Sequence, residues 1–188
     1  MKEIEWLMAI DLEMAQPSGK IIQIGYCIFS IKTGVIKLSK SLYVNPHEEI
    51  TEYINKLTGI TQAQVESGYE LKDAYQILKA DHEANSDLMN AVQWGSGDSD
   101  LLEKQLGIEE GMGIFGRRCI DVKTLVVAYK MSRGQHIQGG LGNTMKKFKI
   151  ASAGKHHDAL VDALNTAKVY LHILKELKKI TLERSSYG

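Results

Sequence analysis

The sequence predicts an α/β domain around a mixed sheet. Three β-type runs fill the N-terminal third, and from Thr51 onward helical periods alternate with short apolar runs. At 188 residues, with 24% charged and 44% hydrophobic, the chain has the size and composition of one soluble domain with a sizeable core, expected over 1–188.

The first strand is expected at Trp6 to Asp11, on the apolar run Leu7-Met8-Ala9-Ile10. Lys20 to Phe29 reads as the second, carrying Ile21, Ile22, Ile24 and Ile28. Val35 to Val44 reads as the third, with Thr33-Gly34 as the turn before it. Thr51 to Leu57 is a short helix closed by Gly59, and Thr61 can cap the next helical turn. Leu71 to Ala84 has helical periodicity, and Leu88 to Trp94 is apolar enough for a buried strand. Ser96 can cap a helix running to about Leu106. Ile114 to Asp121 suggests a fifth strand, followed by helices at Lys123 to Met131 and Leu141 to Phe148. His157 to Leu177 is the longest helix. The Gly/Ser-rich stretches at 132–142 and 151–154 are loops within the domain, and Gly107 to Gly116 lacks both the Rossmann and the P-loop spacing.

Bulk properties exclude several classes. No apolar stretch approaches the roughly 18 residues of a membrane span, so no membrane partner is expected. The start Met-Lys-Glu-Ile-Glu-Trp lacks the basic region of a signal peptide. Cys27 and Cys119 stand far apart, form no ligand pair, and read as buried thiols in a reducing compartment, which predicts a cytoplasmic protein. Net charge is zero, but its distribution is uneven. Glu48 to Glu110 holds 14 acids and 4 Lys/Arg, whereas Met112 to His157 holds 9 Lys/Arg and the single acid Asp121. That asymmetry can give the fold a basic side that holds phosphates, or can reflect solvated faces alone.

The chemistry centres on acids. Asp11 and Glu13 are two apart, so a strand puts both on one face. Neighbouring carboxylates resist ionising together unless a cation holds them. On the last helix Ala159, Ala163, Thr166, Ala167, Tyr170, Leu174 and Leu177 form the expected buried stripe. Asp162 falls between the directions of Val169 and Ile173, inside or at the border of that arc. A buried carboxylate needs compensation, from a metal or from a distant Lys or Arg. His157 precedes it by five, at the expected helix start, with His156 as its competitor and Asp158 as second to Asp162. A further acid is expected where the fourth strand hands over to a helix, at Asp98, with Asp100 as its rival. Both also fit simple stabilisation of a helix N-terminus.

Taken together these segments resemble the DnaQ-like, or DEDDh, 3′–5′ exonucleases. Ile10-Asp11-Leu12-Glu13, followed by Ile21-Ile22-Gln23-Ile24-Gly25, resembles the first motif of that family. Trp94-Gly95-Ser96-Gly97-Asp98, with Leu101-Leu102 behind, resembles the second, and His157-Asp158-Ala159-Leu160-Val161-Asp162-Ala163 the third. Leu57-Thr58-Gly59-Ile60-Thr61 resembles the loop in which a side chain wedges near the terminal bases. The flanks Gly154-Lys155-His156-His157 and Asp162-Ala163-Leu164-Asn165-Thr166-Ala167 are similar to the ERI-type and KapD-type exoribonuclease branch. The stretch Met14 to Gly19, with Gln16-Pro17, departs from that branch and touches the seating of the 3′ end.

The resemblance implies an RNase H-like fold, a mixed five-stranded sheet with helices on both faces. It implies hydrolysis of phosphodiester bonds from a single-stranded 3′ end, RNA favoured and DNA possible, releasing 5′-mononucleotides. Two Mg²⁺ or Mn²⁺ ions are implied, held by Asp11, Glu13 and Asp162, with Asp98 acting through water and His157 as general base. Leu12, Met14, Leu57 and Thr58 are implied substrate contacts, and Asp121 and Asn143 supporting positions. Trp94 can stack on a base or serve the core; Lys146, Lys147 and Lys149 can meet phosphates or face solvent. Relatives include monomers and dimers, so a homodimer is compatible. The alternatives are an endonuclease on the same fold and a non-catalytic nucleic-acid or partner-binding module. All four acids are present, which disfavours the inactive reading.

Overall fold

The computed structural model describes residues 3–136 and 138–185. Met1 and Lys2, on which the leader reading rests in part, and the extreme ends of the 1–188 domain lie outside the described residues. The five strands are β1 (Trp6–Met14), β2 (Ile21–Ser30), β3 (Ile36–Tyr43), β4 (Val92–Gln93) and β5 (Ile120–Asp121). The helices are α1 (Glu52–Thr58), α2 (Gln62–Glu66), α3 (Leu71–Asn85), α4 (Asp98–Gln105), α5 (Val122–Ser132), α6 (Leu141–Phe148) and α7 (Ala159–Ser185). The sheet order is β3-β2-β1-β4-β5. β1, β2 and β3 are antiparallel neighbours, whereas β4 runs parallel to β1 and β5 parallel to β4. This is the expected mixed five-stranded sheet with an RNase H-like arrangement.

Both faces are covered. Met8, Ile10, Leu12, Ile24, Tyr26 and Ile28 pack with Ala74, Tyr75 and Leu78 of α3 and Leu102 of α4. Leu7, Ala9, Cys27, Phe29 and Val92 pack on the opposite face with Val126 of α5, Met145 of α6 and Ala167, Val169 and Ile173 of α7. Because side chains alternate along a strand, the even positions of β1 serve the first cluster and the odd ones the second. Asp11 and Glu13 therefore continue the odd row and face α7. Every residue of β2 is buried, as a strand sandwiched between two helical layers must be.

Several boundaries differ from expectation. β1 continues three residues past Asp11, so both acids lie within the strand. The fourth and fifth strands are two residues each instead of seven and eight. The segment before β5 turns through Gly111 and Gly116, both at positive φ, and buries Phe115 in the core. The Asn90 carboxamide donates to the carbonyls of Phe115 and Arg118, and Glu103 accepts from the Phe115 N–H at 3.2 Å. These contacts hold that segment as a loop. Ser96 does not cap α4; Gly97 is the N-cap, without a side-chain bond. Thr51 and Thr61 do cap α1 and α2, Thr61 with Gln64 in a reciprocal box, and Gly59 closes α1 in the left-handed conformation. α7 starts at Ala159, because His157 has φ 64°. Its buried stripe runs through Val169 and Ile173, while Leu177 is 45% exposed. Cys27 is buried as expected, but Cys119 is only partly so. No described helix is long and apolar enough to cross a membrane.

Candidate active site

The carboxyl ends of the parallel strands bring the acids together. Ala9 pairs with Val92, and Gln93 with Asp121, so Asp11 leaves β1 beside the turn that follows β4. That turn uses Gly95 and Gly97 at φ 91° and 126° and delivers Asp98 into the first turn of α4. Asp121 secures it from β5: its Oδ1 accepts from the Gly95 N–H at 3.0 Å and from the Thr124 N–H at 3.2 Å. Gln93 is buried and its Oε1 accepts from the Ser99 N–H at 3.2 Å, fixing α4 to β4.

The other wall is the start of α7. Asp11 pairs with Gly25 and Glu13 with Gln23 across β1 and β2. The Gln23 side chain is fully buried, donates to Ser41 Oγ at 2.9 Å, and accepts from the Ala159 N–H at 3.0 Å. The α7 backbone lies directly on Gly25. Asp158 caps the helix, its Oδ1 accepting from the Val161 N–H at 3.1 Å. Asn165 is buried and accepts from the Ala153 N–H at 2.8 Å, tying the loop before α7 to the helix body.

Glu13, His157 and Asp162 each present a ligand atom, all within 4.8 Å of one another. Asp162 lies in line with the fully buried Val169 and Ile173. Burial, then Asp98, Asp162, Glu13 and Asp158, hold the Asp11 carboxyl well above the usual range. Glu13 is pushed up to about 7, first by burial and then by Asp162, Asp158 and Asp98. Burial lifts Asp98 to about 6. Every charged neighbour acting on Asp11 and Glu13 is itself acidic. A set of oxygen donors plus one imidazole, in which no described side-chain cation acts on Asp11 or Glu13, suits a hard divalent ion.

The sequence profile of the RNase_T exonucleases matches residues 8–170, most of the chain. The chain belongs to this exonuclease family. It is 27% identical over 174 residues to the probable 3′-5′ exonuclease KapD of Bacillus subtilis (strain 168), covering 87% of this chain and 82% of KapD. It is 24% identical over 211 residues to ERI1 exoribonuclease 2 of Mus musculus, covering 94% of this chain and 30% of that longer protein. The fold also matches the crystal structure of the nuclease domain of 3′hExo, a DEDDh family member, bound to rAMP. There the TM-score is 0.74 at 16% identity, covering 93% of this chain and 94% of that one. The family membership agrees with the DEDDh resemblance and with its KapD and ERI flavour.

Within this chain, Asp11, Glu13, Asp98, His157 and Asp162 lie at one end of the sheet. The expected substrate contacts divide. Leu12 is 5% exposed in the core on the other face of β1, and Met14 packs on that same cluster. Thr58 is buried, its Oγ1 donating to the Ile54 carbonyl and accepting from the Ile60 N–H. Leu57 is half-buried at the end of α1, next to Gly59, which lies against the Lys155 ammonium. Trp94 packs into the second core cluster, Lys146, Lys147 and Lys149 are exposed, and Asn143 is exposed on α6. Sequence reasoning undervalued three residues: Gln23, Gly25 and His156. A lone Gln and a lone Gly inside an apolar strand were the available signals, since a strand glycine often marks close backbone approach.

Proposed function

We propose that this chain is a metal-dependent 3′–5′ exonuclease that hydrolyses single-stranded 3′ ends, with RNA favoured, and releases 5′-mononucleotides. The observation that carries the reading is the convergence of the Glu13, His157 and Asp162 ligand atoms within 4.8 Å beside the half-buried Asp11. Asp11, Glu13 and Asp162 would hold one Mg²⁺ or Mn²⁺, Asp11 would reach a second, and Asp98 would act through water. When bound, the ions would supply positive charge to lower the pKa of a water and to stabilise the departing 3′ oxygen.

The chain's own residues do the rest. His157 stands exposed on the loop before α7, where a ring nitrogen can take the proton of the attacking water. Histidine is the side chain most often used as general base in such a step. The N–H of the same residue donates to Asp162 Oδ2 at 3.0 Å, so base and carboxylate are fixed to each other. Leu57, half-buried at the end of α1, would pack against the terminal nucleotide. For Leu12, Met14 and Thr58 any contact would run through backbone or the limited surface they expose. Resemblance to an exoribonuclease branch favours RNA. The buried, unpaired Cys27 fits a reducing compartment such as the cytoplasm.

The test is digestion of 5′-labelled RNA and DNA with Mg²⁺, Mn²⁺ or EDTA, comparing wild type with Asp11→Ala and His157→Ala. Stepwise shortening that needs metal and is lost in both variants is expected. Shortening that persists in both variants would overturn the assignment.

A further inference from the structure

The two histidines before α7 do different work. His157 contributes to the cluster with Glu13 and Asp162. His156 Nδ1 lies 3.0 Å from Asp162 Oδ1, on the oxygen that His157 N–H leaves free. An ionised carboxylate only accepts, so against it the imidazole proton sits on Nδ1. The His156 ring reaches this position by lying on α6 at Gly142. A Cβ built at Gly142 would fall 2.5 Å from Nε2 and 3.0 Å from Cε1. Gly142 has ordinary helical φ, since it is not among the positive-φ glycines. Its lack of a side chain therefore serves the ring rather than the backbone. Asp162 is 14% exposed at its side chain and is held at both oxygens.

We propose that His156 is a positioning residue for Asp162. Seated on Gly142, it fixes the carboxylate in the orientation that presents its remaining lone pairs to a divalent ion. The inference rests on the metal-dependent reading above. A ligating carboxylate that is itself hydrogen-bonded needs no reorientation when the ion arrives, and loss of such a partner costs about 10–100-fold in metal affinity or activity.

The experiment measures Mn²⁺ affinity by calorimetry and by electron paramagnetic resonance, without substrate, in wild type, His156→Ala, His156→Asn and Gly142→Ala. His156→Ala is expected to weaken Mn²⁺ binding about tenfold. His156→Asn, whose amide N–H can replace the Nδ1 donor, should stay close to wild type. Gly142→Ala leaves every polar group in place and favours a helix; it should weaken binding like His156→Ala by displacing the ring. Unfolding midpoints in EDTA confirm that the variants fold, and Gly142→Ala decides the matter if His156→Ala does not. Unchanged affinity in both His156→Ala and Gly142→Ala would overturn the positioning role while leaving the metal site intact. No Mn²⁺ binding by wild type would overturn the metal-dependent reading, and this inference with it.

Discussion

Gly25 lies so close to Ala159 that a Cβ on the glycine would fall 2.0 Å from the Ala159 carbonyl carbon. The contact sits directly across the sheet register from Asp11. It lets the first turn of α7 descend onto the strand pair and carry Asp162 to Asp11 and Glu13.

Gly25→Ala should therefore both destabilise the fold and open the site. Backbone atoms on both sides cannot step aside as a flexible side chain would, so the cost is expected at about 2–4 kcal/mol. Denaturant unfolding measures the stability, and Mn²⁺ titration of the folded fraction measures the site. A variant as stable as wild type would mean that α7 shifts freely on the sheet.

The acids oppose folding when no cation is bound. A carboxyl raised in the folded state binds more protons there than in the unfolded chain, so stability falls as pH rises through the window between the two pKa values. For Glu13 that window runs from 4.5 to about 7, and for Asp98 from 3.8 to about 6. Above it the full penalty applies. Asp11→Asn and Glu13→Gln should each abolish cleavage yet stabilise the metal-free protein at pH 7.5, Glu13→Gln by about 1–3 kcal/mol and Asp11→Asn in the same direction. Thermal unfolding in EDTA reads the sign, and a lowered midpoint in both would contradict it.

Divalent cations should reverse that penalty. An ion that binds only the folded state adds about 2.7 kcal/mol at a hundred times its dissociation constant. The unfolding midpoint of wild type should climb with Mg²⁺ or Mn²⁺, and that of Asp11→Asn should climb much less. Equal shifts in both proteins would place the ion elsewhere.

His82 sets an opposite pH dependence far from the site. It is 6% exposed, its Nε2 lies 3.1 Å from the Met89 carbonyl, and its ring meets Phe115 edge-on at 5.4 Å. Burial depresses its pKa below 6.5. The unfolded chain then binds the extra proton first, so the contribution of His82 is present above pH 6.5 and is lost as pH falls below it. The difference in unfolding free energy between wild type and His82→Phe should narrow as pH falls from 7 to 5. A difference that stays constant over that range would contradict the depressed pKa.

Much of the fold was legible because period and punctuation agreed. The apolar run of β1, the Ile-rich β2 and the capped α1 and α2 all followed local rules that tertiary contacts did not disturb. The short β4 and β5 were not legible. Val92 and Ile120 look like members of longer apolar runs, but Asn90, Glu103 and the turning glycines commit the neighbours to loop contacts made with distant residues. The acids of the site were readable from strand parity and helical phase. Their supports were harder, since Gln23 gains its purpose only when Ala159 arrives from the far end of the chain. His157 read as helical, but its left-handed φ of 64° and the bond from its N–H to the Asp162 carboxylate belong to the loop before α7.

The parity of β1 and the descent of α7 onto Gly25 have a consequence for synthesis. Asp11 and Glu13 are synthesised well before His157 and Asp162, which lie just before and within the start of α7. A growing chain thus holds only part of the acid cluster while α7 is still to be made. The proposed metal site is complete only when α7 closes on β1, so the order of synthesis itself keeps the cluster open until then.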